Sequence, residues 1–292
     1  NTRWSDGNGD NESQRHQLLG SALCPVTMQQ SCGSRVYLLA SRGAHGPAAP
    51  GCPALVLFDQ VAHPRRMDRR LRRYLLRQIT FVTFSVALMF LLAGRLDWLG
   101  GWLVTAIQVG SLAVQWLIVG RRHPDLLLER SGLGADVERG DIPLALGMAY
   151  GPFVAMLIAG LEVRLQGLPE AAVLVAIAGV ALALAGIAVT VSAMLDNRFF
   201  VPVVRIQSDR GHAVGDDVPY AVVRHPGYVG AIFFYVGLPA VLGSWWSVPI
   251  IALIIAITVV RTAREDRYLQ AHLNGYVGYA TRVRWRLVPR IW

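Results

Sequence analysis

The sequence contains no lysine: all 28 of its basic residues are arginine, set against 19 acidic ones. Charge is scarce overall, at 16% of residues against about 25% in an ordinary soluble domain. Cysteine is also rare. The three present, Cys24, Cys32 and Cys52, all lie near the amino end with no histidine at metal-ligand spacing. These shortages exclude a disulfide framework, a zinc site and thiol chemistry in the remaining 240 residues. They also argue against a disordered chain, because 53% of the residues are hydrophobic. A basic protein this apolar points to a membrane before it points to nucleic acid.

Residues 1–66 differ from the rest. They are rich in Gly, Ser, Asn, Pro and Gln and show no sustained apolar period or signal-peptide pattern. They read as an extension, either disordered or upstream of a start at Met67; the second is favoured, since Met67 opens the basic leader Met-Asp-Arg-Arg-Leu-Arg-Arg. From Gln78 onward, long apolar runs alternate with short polar breaks. Gln78–Ala93 and Trp98–Val119 form a first pair, and Ile142–Leu161 and Ala171–Met194 a second, around a break at Glu162–Glu170. Tyr228–Leu242 and Ser247–Val260 form a short third pair. A helix needs about 20 apolar residues to cross the hydrocarbon. The fold class expected is therefore all-α, a polytopic transmembrane helix bundle of six favoured spans.

Arginines collect before the first span, between the second and third, and after the fourth, whereas the other turns carry only Arg95 and Arg164. By the positive-inside rule both ends lie in the cytosol, which gives a multi-pass protein of the cell membrane. The domain division expected is an extension over 1–66, transmembrane helices over 67–195, and a catalytic region over 196–292. The spans hold almost no ionisable residues, which disfavours a transporter.

Two polar stretches at the cytosolic side, Asp196–Tyr228 and Arg261–Trp292, are too patterned for plain connectors. Pro226 suits the first turn of a helix, so free N–H groups and the positive end of the dipole would face that region. Arg261 and Glu265 are four apart on one helical face, with Tyr268 three further on. Each also has a plain structural reading. Arg261–Glu265 reads equally as a surface ion pair, His225 as an interfacial residue bonded to a carbonyl, and Tyr220 and Tyr228 as interface anchors. Only their clustering at one end of one hairpin carries information.

Arg224-His225-Pro226-Gly227-Tyr228-Val229-Gly230, then Arg264-Glu265-Asp266-Arg267-Tyr268-Leu269 and the ending Arg282-Val283-Arg284-Trp285-Arg286-Leu287-Val288-Pro289, resemble the isoprenylcysteine carboxyl methyltransferase family. Phospholipid methyltransferases are its relatives among integral-membrane methyltransferases. The resemblance is close over Ser208–Trp292, with Glu265-Asp266 standing where the family has two glutamates.

The resemblance implies S-adenosylmethionine in a cytosolic pocket formed by the last helical hairpin, the preceding loop and the C-terminal helix. It implies cofactor contacts from His212, Ala213, Val214, Gly215, Tyr220, His225, Pro226, Gly227, Tyr228 and Glu265. Arg261 takes the place implicated in holding the substrate carboxylate, so Arg261 and Glu265 form the catalytic pair. Arg264, His225 and the start of the helix at Pro226 would supply donors to the cofactor carboxylate. The acceptor implied is lipophilic or prenylated and enters from the lipid bilayer; no nucleic acid and no metal are expected. Two other readings stay open: a phospholipid or other small lipophile as acceptor, and an NADPH-dependent membrane reductase of the steroid-reductase type.

Overall fold

The computed structural model describes residues 68–132, 137–169, 173–215 and 217–292, with the backbone of 26–27 and 39–40. Residues 1–63 and 64–292 are separate units. In the first, Val26–Thr27 pairs antiparallel with Leu39–Ala40. The start expected at Met67, and the proposed extension apart from the backbone of 26–27 and 39–40, lie outside the described residues.

The second unit is all-helical among its described residues. Helix α1 spans Arg69–Ala93. Asp68 caps its first turn by accepting from the Arg70 N–H at 2.7 Å, and Gly94 ends it in the left-handed region. Helix α2 spans Leu99–Arg122 and includes a π-helical segment at Gln115–Val119. A short helix α3, Pro124–Arg130, follows directly, with Leu126 and Leu127 buried. Helices α4 (Ile142–Gln166) and α5 (Val173–Asp196) come next. Helices α6 (Pro226–Leu242) and α7 (Ser247–His272) form the last hairpin, and α8 (Tyr276–Arg282) closes the chain.

Five of these helices, α1, α2, α4, α5 and α7, are long and apolar enough to cross a membrane; α6, at 17 residues, is shorter. The last apolar run, Ser247–Val260, is short, but its helix is not. At 26 residues and 1.5 Å per residue α7 is about 39 Å long, which exceeds a hydrocarbon core of about 30 Å. Its charged C-terminal turns therefore project beyond the bilayer. The break expected at Glu162–Glu170 also begins later, because α4 continues to Gln166 and buries Glu162. Glu162 stays buried because it accepts from Ser244 Oγ and from the N–H groups of Trp245 and Trp246, at 3.3 and 3.1 Å. It thereby caps the start of α7.

One core joins the helices across the 195/196 position: Met89, Trp98, Met156, Tyr235, Leu242 and Ile254 belong to the same cluster. Lipid tails are as apolar as leucine, so close packing rather than the hydrophobic effect holds such helices together. The closest packing is between α5 and α6. A Cβ at Gly186 would lie 2.4 Å from the Gly230 carbonyl oxygen, and one at Gly230 would lie 2.5 Å from the Gly186 oxygen. One turn pair further out, Gly179 and Gly237 repeat the arrangement, with added Cβ atoms 2.9 and 2.6 Å from each other's carbonyl oxygens. Only glycine lets the two backbones approach this closely.

Candidate functional site

The segment between α5 and α6 folds back over the ends of the helices, held by its own polar residues. Asn197 Oδ1 accepts from the Phe199 N–H at 2.8 Å, and the fully buried Gln207 donates to the Phe199 carbonyl at 2.9 Å. Ion pairs fasten this segment to α3: Arg205 to Glu129, and Arg210 to Asp125 at 2.5 Å. The Val204 N–H donates to Asp141 at 2.8 Å, and Arg261 donates to the Pro202 carbonyl at 2.7 Å. The C-terminal segment closes the other side. The N–H groups of Arg224 and His225 donate to the carbonyls of Trp285 and Arg286 at 2.8 and 3.0 Å. These bonds satisfy the backbone just before α6, where Pro226 starts the helix.

The result is a cavity of about 280 Å³. His212, Ala213, Val214, Gly215, Tyr220, His225, Gly227, Tyr228, Arg261 and Glu265 all line it. Pro226 is buried in the first turn of α6 and does not line the cavity. Residues assigned no role from the sequence also line it, among them Met148 and Ala149 of α4, Thr190 of α5, Phe199, Phe200, and Leu269, Leu273, Tyr276 and Tyr279 at the carboxyl end. Leu269 was within reach of the sequence, since it lies four residues after Glu265 on the same face.

Glu265 accepts from the Tyr228 hydroxyl, and Tyr228 stacks on His225 with ring centres 5.8 Å apart. Glu265 and Arg261 are not paired with each other. Arg261 is buried against Asp141, with Nε to Oδ1 at 2.6 Å and Nη2 to Oδ2 at 2.8 Å. The surface ion pair considered from the sequence is thus replaced by a buried one with a different helix. Two further expectations are corrected. Arg264 is exposed and donates to the Gly140 carbonyl at 3.3 Å, one helical step away from the cavity face, so it offers no donor there. Tyr268 stacks on His272 at 4.3 Å rather than facing the cavity with Glu265.

Asp266, next to Glu265, is fully buried on the other side of the helix. It accepts from Arg224 and Arg286, both at 2.9 Å, and from the Tyr276 hydroxyl at 3.0 Å, with His225 Nε2 at 3.4 Å. This cluster ties α6, α7, α8 and the C-terminal segment together. The hydroxyl of Tyr279 donates to the Tyr220 carbonyl at 2.8 Å. Burial pushes the Tyr220 and Tyr276 hydroxyls well above their usual titration range, the Asp266 charge adding to the second, so both remain protonated donors. His212 stacks on Phe199 at 4.5 Å. Burial first, then the charges of Arg205 and Arg210, lower its pKa to about 4, so the ring is neutral at neutral pH.

A larger cavity, about 730 Å³, lies at the opposite end of α4–α7. Its lining carboxylate is Glu162, already consumed in capping α7. The concentration of polar and aromatic side chains is at the smaller cavity.

Residues 174–274, from α5 through α7, match the family model described as phospholipid methyltransferase. The chain therefore carries a domain of that family, among the integral-membrane methyltransferases related to isoprenylcysteine carboxyl methyltransferases. It is a multi-pass membrane methyltransferase. Comparison with curated proteins gives no match.

Proposed function

We propose that this domain uses S-adenosylmethionine to methylate the carboxylate of a lipophilic, prenylated-type acceptor that reaches the cavity from the bilayer. The observation that supports this reading is the convergence of Glu265, Tyr228, Arg261 and the 212–215 segment on one cavity. When bound, the cofactor would supply a methyl group on a sulfonium cation. The donor set suits it. Glu265 brings a negative charge, oriented by the Tyr228 hydroxyl, toward a ligand whose sulfonium and ammonium groups are positive. Phe199, His212, Tyr220 and Tyr279 offer aromatic surface, and Val214, Leu269 and Leu273 exclude water.

Methyl transfer is an in-line displacement, so the chain's task is to hold two ligands in register. Such positioning is worth up to ~7–11 kcal/mol in well-oriented systems. A carboxylate acceptor is ionised at neutral pH and needs no base. Arg261, with Nε and Nη2 held by Asp141 and Nη1 donating weakly to the Met148 sulfur at 3.7 Å, would offer its remaining Nη1 N–H to such a group. A phospholipid amine is the second reading, favoured by the family description. It would have to lose a proton first, and among the described lining residues Glu265 is the carboxylate placed to receive it. On the arginine bias, the cavity end of the bundle faces the cytosol.

The test is calorimetric titration of the detergent-purified chain with S-adenosylmethionine and with NADPH, then transfer of labelled methyl to an S-farnesylcysteine acid and to dioleoylphosphatidylethanolamine. We expect binding of S-adenosylmethionine only, and methylation of the acid. Binding of NADPH alone would make the protein a reductase. Methylation of the amine alone would select the phospholipid reading.

A further inference from the structure

Four arginines line the cavity: Arg130, Arg205, Arg224 and Arg261. Three have carboxylate partners, Glu129 for Arg205, Asp266 for Arg224 and Asp141 for Arg261. Arg130 has none among the described residues. Its Nη1 donates to the Phe200 carbonyl at 3.2 Å, and its guanidinium lies 5.5 Å from the centre of the Phe200 ring. Its Nε is buried with no hydrogen-bond partner. A half-buried cation with no countercharge among the described residues is costly, and the buried N–H left without a partner on the same guanidinium adds to that cost. A guanidinium at a cavity wall with no carboxylate of its own among the described residues suits an oxyanion, which its remaining N–H groups can bind.

We infer that Arg130 is a second anchor, beside Arg261, for an oxyanion of the acceptor, a carboxylate or a phosphate ester, at the membrane-facing side of the cavity. This rests on the methyltransferase reading above. The residues implied for the cofactor lie on the 212–215 segment, α6 and α7, whereas Arg130 arrives on α3. That helix begins two residues after the α2 span ends at Arg122, and its Leu126 and Leu127 pack against Val119, Val191 and Met194 at the ends of α2 and α5. Arg130 is therefore at the level of the bilayer interface, where a lipophile with its tail in the membrane carries its polar group. The acceptor class follows: an apolar tail and a negative charge close to the methylated atom.

The experiment uses the full chain in detergent micelles with Arg130→Gln and Arg130→Lys. S-adenosylmethionine binding is followed by calorimetry, and binding of dioleoyl phosphatidate and of dioleoylglycerol is followed by tryptophan fluorescence. KM and kcat are measured for the acceptor that turns over. We expect Arg130→Gln to weaken phosphatidate binding and raise the acceptor KM at least tenfold, with cofactor affinity changed less than twofold. Arg130→Lys should recover most of the loss, and dioleoylglycerol should not distinguish the three proteins. An equal loss of S-adenosylmethionine binding would assign Arg130 to the cofactor carboxylate and overturn the inference. Unchanged phosphatidate binding and KM would leave Arg130 a prop for the Phe200 carbonyl and overturn it as well. A wild-type chain that binds phosphatidate through Arg130 but not S-adenosylmethionine would break the methyltransferase reading while leaving the oxyanion anchor standing.

Discussion

Asp141 grips Arg261 across the bundle through two parallel hydrogen bonds, joining the start of α4 to the point where α7 leaves the membrane. The same carboxylate accepts from the Val204 N–H, so three segments meet on one side chain. Asp141→Asn would leave a buried guanidinium without its countercharge. Breaking one member of a buried pair costs about 3–5 kcal/mol. Thermal melting in detergent should show a clear fall for this variant. Arg261→Lys keeps the charge but loses the planar fork that grips Asp141, so it should melt lower as well, with turnover falling more than cofactor affinity.

Glu265 and Asp266 separate into a cavity residue and a structural one. Glu265→Gln should weaken S-adenosylmethionine binding by roughly 10- to 100-fold, the equivalent of about 1.5–3 kcal/mol for a charge-assisted bond, with little change in melting. Asp266→Asn strands Arg224 and Arg286 and should lower the melting temperature first. Calorimetry and melting on both variants check the division; equal effects in both assays would refute it.

At Gly186 the added methyl of Gly186→Ala meets the Gly230 carbonyl and must push α5 from α6. Overpacking of this kind costs about 1–3 kcal/mol. Gly110 is the control, because nothing lies within 4 Å of a Cβ there. Gly110→Ala should be neutral or stabilise by roughly 0.5–1 kcal/mol, the helical preference of Ala over Gly. The melting temperature should fall for Gly186→Ala and hold or rise for Gly110→Ala.

The lowered pKa of His212 gives a pH signature. Its folded value of about 4 lies below the ordinary 6.5, so the unfolded chain takes up the proton first. Stability contributed by the neutral ring is complete above about pH 7 and is lost as pH falls from 6.5 toward 4. The melting temperature of the wild type should drop through this window more steeply than that of His212→Gln.

Orientation can be read by labelling in intact cells, in a background with Cys24, Cys32 and Cys52 replaced by Ser. A cysteine at the exposed Trp245, in the turn between α6 and α7, should react with an impermeant reagent. One at Asp209, on the cavity end, should be protected. The reverse pattern would invert the proposed topology.

The helices were legible in the sequence because the apolar runs are long and their breaks carry Gly, Pro and charge. The residues that the resemblance implies from His212 to Tyr228, Pro226 excepted, share one cavity wall with Glu265. What stayed hidden was pairing at a distance. Asp141 precedes an apolar run and reads as a helix cap, and its partner Arg261 is 120 residues away. Arg261 itself invited pairing with Glu265, its near neighbour on the helix, but the Tyr228 hydroxyl takes Glu265 instead. Asp266 passed as a variant of its neighbour because a step of one residue turns a side chain by about 100° about the helix axis, from the cavity to the core. Arg130 carried no local signal at all.

The backbone-to-backbone contact of α5 with α6 also restricts traffic. Two helices that touch carbonyl to Cα at Gly179, Gly186, Gly230 and Gly237 leave no seam wide enough for an acyl or prenyl chain. A substrate arriving sideways from the bilayer is therefore barred from that flank and has to approach along another face of the bundle. The pair acts as a fixed wall, and any parting of helices that admits or releases a lipophile falls to their neighbours.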